Sequence, residues 1–289
     1  LSGDEQRILF VQLCNVLDPG LAVALSSVNN ELRELTQALL QQLRTDHEAA
    51  AALGLKLGMP SCKELREAQE INYFSKDLTA AELATLGTLG SVLPALEALI
   101  YQSFENSGAA GPDGMRRLAA GLSAGALPAL TWFTLSGMHV GDAGASALAA
   151  ALGRGALPRL ENLFLHNTAI GDAGLMALAP ALRRLPALGN LFLEGNPFGD
   201  EGLAALVAPP PPAGAPPPPT GGLAKLKELN LTETQITDAG CATLAAALDR
   251  GVLPALETLF LSATPRASAA AIAPVHAALA RSRAARVPS

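Results

Sequence analysis

The sequence predicts an α/β solenoid, a curved parallel β-sheet backed by helices and closed at its N-terminal end by a helical segment. Two observations carry this reading. Related segments open at Leu127, Leu157, Leu185, Leu223 and Leu253, at intervals of 30, 28, 38 and 30 residues. Within each segment the apolar period also changes from that of a strand to that of a helix. A single strand–turn–helix of this size cannot bury its own apolar face, so neighbouring units must stack.

The Leu157 unit shows how each element arises. Leu160, Leu163 and Leu165 set apolar side chains on one face of a short strand, and Ile170 tucks the following turn inward. Gly171 eases the turn, and Asp172 stands where a helix N-cap is expected, its carboxylate facing the orphan amides of its own helix. Leu175, Leu178 and Leu182 then recur at helical spacing with Ala between them. Asp142, Asp200 and Asp238 hold the same slot in their own units.

This LxxLxL strand, followed by an apolar turn residue, a DxG and a helix, resembles the ribonuclease-inhibitor type of leucine-rich repeat. The resemblance is clear over 127–264. Weaker units open at Leu65 and Leu93, with Leu65, Ala68, Ile71 and Tyr73 in register with Leu93, Leu96, Leu99 and Tyr101. The family's asparagine slot holds Asn196 once, and Met138, Thr168, Thr234 and Thr264 elsewhere, which thins the expected ladder of side-chain hydrogen bonds. The resemblance implies an α/β leucine-rich-repeat solenoid over 65–289, with strands on the concave face and helices on the convex face.

Residues 1–64 lie outside the repeat. A first helix is expected over residues 8–17, closed by Asp18-Pro19-Gly20, then a second apolar-periodic stretch over 21–43 and a hinge over 54–61. One reading makes this segment the cap that covers the first repeat's apolar edge. The other rests on Leu17, Asp18, Pro19, Leu25, Ser26, Val28, Arg33, Glu34 and Leu35, which resemble the middle of an F-box, although Leu32 stands where that family has Trp or Phe. That resemblance implies docking of residues 8–35 on the Skp-type adaptor of a cullin–RING ubiquitin ligase.

The run PPPPAGAPPPP at 209–219, closed by Thr220-Gly221-Gly222, accounts for most of the excess in the long interval. It reads as a loop insertion, which loop closure tolerates at little cost. Such a run also favours polyproline II, the shape that aromatic-lined binding modules take. The Ala-rich stretch from Ala267 reads as a C-terminal helical cap.

Composition removes other classes. The 289 residues carry 20 Lys and Arg against 26 Asp and Glu, a net charge of −6 that argues against binding nucleic acid by phosphate neutralisation. No apolar run approaches the roughly 18 residues of a membrane span. Cys14, Cys62 and Cys241 are scattered, which suits a reduced cytoplasmic or nuclear protein better than a disulfide scaffold. His47, His139, His166 and His276 fall in different units without metal-ligand spacing, so neither a metal nor a cofactor is expected. Gly121-Leu122-Ser123-Ala124-Gly125 matches GxSxG, but helix precedes it and strand follows, the reverse of a nucleophile elbow.

What remains is surface. Side chains alternating with the strand leucines form three columns on the concave face. The first holds Trp132, Asn162, Asn190, Glu228 and Thr258; the second Thr134, Phe164, Phe192, Asn230 and Phe260; the third Ser136, His166, Glu194, Thr232 and Ser262. Grouped aromatics facing solvent are the usual composition of a binding hot spot. The candidate partner-binding residues are therefore Trp132, Phe164, His166, Phe192 and Glu194. The expected function is a non-catalytic scaffold that recognises another protein on its concave face. The F-box resemblance makes a ubiquitin-ligase substrate receptor the alternative. Ran GTPase-activating proteins, which have similar repeats, supply a further one, with no residue here assignable to catalysis.

Overall fold

The computed structural model describes residues 15–27, 30–74, 78–103, 110–208 and 223–286. Most of the helix expected over 8–17, Val28 and the Pro-rich segment lie outside them. The strands β1 (Glu70–Phe74), β2 (Ala98–Gln102), β3 (Trp132–Ser136), β4 (Asn162–Phe164), β5 (Asn190–Phe192), β6 (Glu228–Asn230) and β7 (Thr258–Phe260) form one parallel sheet in sequence order. The weak units belong to it: Ile71 pairs with Leu99 and Tyr73 with Tyr101. Gly121 to Gly125 joins helix to strand, as the sequence requires.

The N-terminal helices are α1 (Gly20–Ser26), α2 (Asn30–Leu57) and α3 (Cys62–Glu67). The repeat helices are α4 (Ala80–Leu89), α5 (Gly111–Gly121), α6 (Gly141–Gly153), α7 (Asp172–Leu182), α8 (Asp200–Leu206) and α9 (Asp238–Asp249), and α10 (Ala269–Ala284) closes the chain. One continuous core runs the length of the solenoid between sheet and helices, built from the strand leucines and helix positions such as Leu148, Leu178 and Leu244. Leu17, Ala50 and Leu53 join the same core as Ile71, so the N-terminal segment packs on the β1 end of the solenoid. Lys56 pins it there by donating to both carboxylate oxygens of Glu82 on α4, at 2.8 and 2.9 Å.

Two details differ from the sequence reading. The second helix runs on to Leu57 through Gly54, and the turn begins only at Gly58, whose φ of +86° suits glycine. The break expected nowhere between 21 and 43 falls between α1 and α2.

The repeated aspartates also act differently from expectation. None caps its own helix, because each already lies inside it, where a helical backbone turns the side chain outward. Each carboxylate reaches across to the next unit instead. Asp142 accepts from the N–H of Gly171 and Gly174 at 2.7 and 3.0 Å, and Asp172 from those of Gly199 and Gly202 at 2.8 and 2.7 Å. Asp200 accepts from Thr237 N–H and Oγ1–H, and Asp238 from the same groups of Ser268. The N-cap positions of α7 and α8 are the glycines Gly171 and Gly199, which have no side chain to offer, so the preceding unit satisfies their orphan amides.

Arginines do the converse at the other helix ends. Arg154 donates to the Ala119 and Leu122 carbonyls at the end of α5 and Arg183 to that of Ala205 at the end of α8, while Arg286 donates to the Leu256 carbonyl in the turn before β7. Asn196 ties two units inside the core: its Oδ1 accepts from Ile170 N–H at 2.9 Å, and its Nδ2 donates to the Leu165 and Leu193 carbonyls.

Candidate functional site

Strand register brings the candidate residues together. Trp132 pairs with Asn162 and Asn162 with Asn190, while Thr134 pairs with Phe164 and Phe164 with Phe192. Parallel strands lie about 4.8 Å apart, so planar side chains at matching positions are held at stacking distance. The Phe164 and Phe192 rings stack with centroids 4.6 Å apart at 17°.

Trp132 departs from its column. By register it belongs above Asn162, yet its indole stacks on Phe164 at 4.7 Å and 22°. Thr134 explains the shift: its Oγ1 accepts the indole Nε1–H at 2.9 Å, which draws the ring along the strand over the gap that the small Thr134 leaves. Thr134 is buried beneath it. Trp132, Phe164 and Phe192 thus form a continuous aromatic stripe. Each stacked pair contributes about 0.5–1.5 kcal/mol beyond its buried area. Trp132 remains 39% exposed, and Phe164 and Phe192, expected to face solvent, are half-buried because each covers its neighbour. Phe260 is 42% exposed but stands apart, since Asn230 occupies the position between it and Phe192.

Polar side chains flank the stripe on both sides. In the first column Asn190 donates to Asn162 Oδ1 at 2.5 Å and Asn162 to the Thr131 carbonyl at 3.3 Å. In the third column Ser136 Oγ lies 2.9 Å from His166 Nδ1. Burial lowers the His166 pKa from its ordinary 6.5, so the ring is neutral at pH 7. Glu194 accepts a hydrogen bond from Asn230. Burial first, and the Glu233 carboxylate second, push its carboxyl above the ordinary 4.5. Thr134, Asn162, Asn190 and Asn230 were not among the candidate residues. The signal available for Thr134 was a small polar residue interrupting the aromatic column beside the only Trp.

The site offers stacking, amide hydrogen bonds and carboxylates along an open sheet. Among the described residues no three His, Cys, Asp or Glu side chains converge as metal ligands would, and no helix is long and apolar enough to cross a membrane.

The sheet of parallel strands alternating with helices makes this chain an α/β leucine-rich-repeat solenoid. A family profile described as "Leucine Rich repeat" matches residues 222–245, which include β6 and the first part of α9. No curated protein sequence matches the chain. Solved structures similar to it include the second actin-binding site of leiomodin-1, 14% identical with a TM-score of 0.43, covering 73% of this chain and 92% of that one. The tropomodulin C-terminal domain of Caenorhabditis elegans is 17% identical with a TM-score of 0.41, covering 72% and 95% respectively. Rad7 of yeast, solved in complex with Elc1, is 15% identical with a TM-score of 0.39, covering 97% and 73%.

Proposed function

We propose that this protein is a non-catalytic recognition scaffold that holds a partner protein on the concave face of its repeats. The observation that carries the reading is the stripe of Trp132, Phe164 and Phe192, stacked face to face across adjacent strands and still partly open to solvent. Rigid aromatics in a pre-ordered row lose little entropy on binding, which makes them efficient anchors. The test is affinity capture with the full chain, with quantification of proteins lost to Phe164→Ala with Phe192→Ala but retained by Met176→Ala. Met176 is 48% exposed on α7, away from the sheet. A partner lost only to the concave variant supports the reading. Partners indifferent to that variant, or lost equally to both, overturn it.

A second reading, the F-box-like substrate receptor, draws support from α1. This helix directly follows Leu17-Asp18-Pro19 and leaves Leu21 and Val23 54% and 40% exposed. Calorimetry of the full chain with a Skp-type adaptor tests it. The expected affinity is tighter than about 1 μM, abolished by Leu21→Asp with Val23→Asp. Absence of binding by the folded chain leaves the segment as a cap.

A further inference from the structure

We infer that the partner segment seated on the aromatic stripe is basic, and that it places an arginine guanidinium over Phe192 between Glu194 and Glu228. This rests on the concave face being the recognition surface and adds the chemistry of what it recognises.

Register supplies the geometry. Glu228, on β6, pairs with Asn190, two residues before Phe192, while Glu194 lies two residues after Phe192, in the turn just past the end of β5. Two residues along a strand span about 6.6 Å. The two carboxylates therefore bracket the last ring of the stripe from opposite ends.

Charge supplies the direction. Across the three concave columns the ionised groups are carboxylates: Glu194 and Glu228 beside the stripe, and Glu70 at the β1 end. None of the column positions holds Lys or Arg. The one histidine among them, His166, is kept neutral by burial. Among the described residues no Lys or Arg lies within ion-pair distance of Glu194 or Glu228, although Arg and Lys pair with carboxylates elsewhere, as Arg281 does with Asp249 at 2.9 Å. Lys227 sits just before β6, outside the columns. Glu194 is half-buried next to Glu233, a site where a cation from outside would relieve both its lost hydration and its like-charge neighbour.

The ring face favours arginine over lysine. A guanidinium is planar, stacks on an aromatic face and can still present its edge N–H groups to carboxylates on either side. On the side away from Phe164 the next strand offers Asn230 rather than another ring, so Phe192 ends the stripe and remains partly exposed.

The experiment is selection of random dodecapeptides displayed on phage against the full chain, with counter-selection on Phe164→Ala with Phe192→Ala. Selected peptides are then titrated against the intrinsic fluorescence of Trp132, the only tryptophan in the chain. Arginine is expected to be enriched among binders that depend on the stripe. Binding should weaken about fivefold to tenfold in Glu194→Gln or Glu228→Gln, as for partly exposed charge-assisted contacts. It should weaken again on replacing the peptide's arginine by lysine, and as salt rises from about 0.05 to 0.5 M. Stripe-dependent binders that are neutral or acidic overturn this inference and leave concave recognition standing. Binders indifferent to the stripe, or none at all, overturn both. The Glu→Gln variants keep the side-chain shape, so their loss of affinity separates charge from misfolding.

Discussion

Asp172 accepts a hydrogen bond from Gly202 N–H, 30 residues away and one repeat further on, at 2.7 Å. The DxG of the Leu157 unit is therefore a two-way coupling. Its Asp172 reaches forward to the next helix, and its Gly174 donates to Asp142 of the unit before. A side chain at the glycine would stand in the way: a Cβ on Gly174 would lie 2.5 Å from Asp142 Oδ1, and one on Gly240 would lie 2.1 Å from Asp200 Oδ1. The last helix shows the alternative. Ser268 caps α10 and takes the Asp238 carboxylate itself, and position 271 is alanine.

Breaking one coupling should weaken an interface rather than a single helix. Asp172→Ala removes both charge-assisted bonds to the start of α8 and is expected to cost about 1.5–3 kcal/mol. Urea denaturation is the measurement. A loss within experimental error of zero would mean that water satisfies the Gly199 and Gly202 amides equally well.

Two helical glycines should respond in opposite directions. Gly240→Ala forces a methyl group into the Asp200 carboxylate and should destabilise by about 2 kcal/mol or more. Gly153→Ala, at the end of α6 with nothing within 4 Å of the new Cβ, should stabilise by about 0.5–1 kcal/mol. Melting temperatures of the two variants, measured together, decide the matter.

The position of Trp132 depends on one hydroxyl. Thr134→Val keeps the shape beneath the indole but removes its acceptor, with an expected loss of about 1 kcal/mol. Tryptophan emission should shift to the red as the ring leaves Phe164 for solvent. Unchanged emission would show that stacking alone holds the ring.

The half-buried His166 makes stability fall on mild acidification. The folded-state pKa of His166 lies below its ordinary 6.5, so near that pH the unfolded chain binds more protons than the folded one. The stability it contributes is complete above 6.5 and is lost as pH falls through the lower, folded-state value. Glu194 has the opposite sign: with its folded pKa raised above 4.5, its contribution is complete below 4.5 and declines as pH rises through the folded value. Denaturation at pH 7.5 and 5.5 should therefore show a smaller acid loss in His166→Gln than in the wild type, and a larger one in Glu194→Gln.

The repeating unit could be read from the sequence because both its periods are local. Leu160, Leu163 and Leu165, then Leu175, Leu178 and Leu182, state strand and helix within one unit, and stacking follows because neither can bury its face alone. Register followed too, since Trp132, Asn162 and Asn190 stand at the same offset from the opening leucine of their units, Leu127, Leu157 and Leu185. Two matters were decided only by the tertiary structure. Asp172 looks like an ordinary cap in its own unit, and only the closeness of the next helix turns it into a link between units. Trp132 belongs to one column by sequence and to another in space, because a hydroxyl two residues away and a ring on the next strand outweigh its position in the strand. Periodic patterning is a property of backbone geometry and survives in the sequence. The direction of a side chain at an interface depends on a neighbour some 30 residues distant, and that neighbour is known only once the units have stacked.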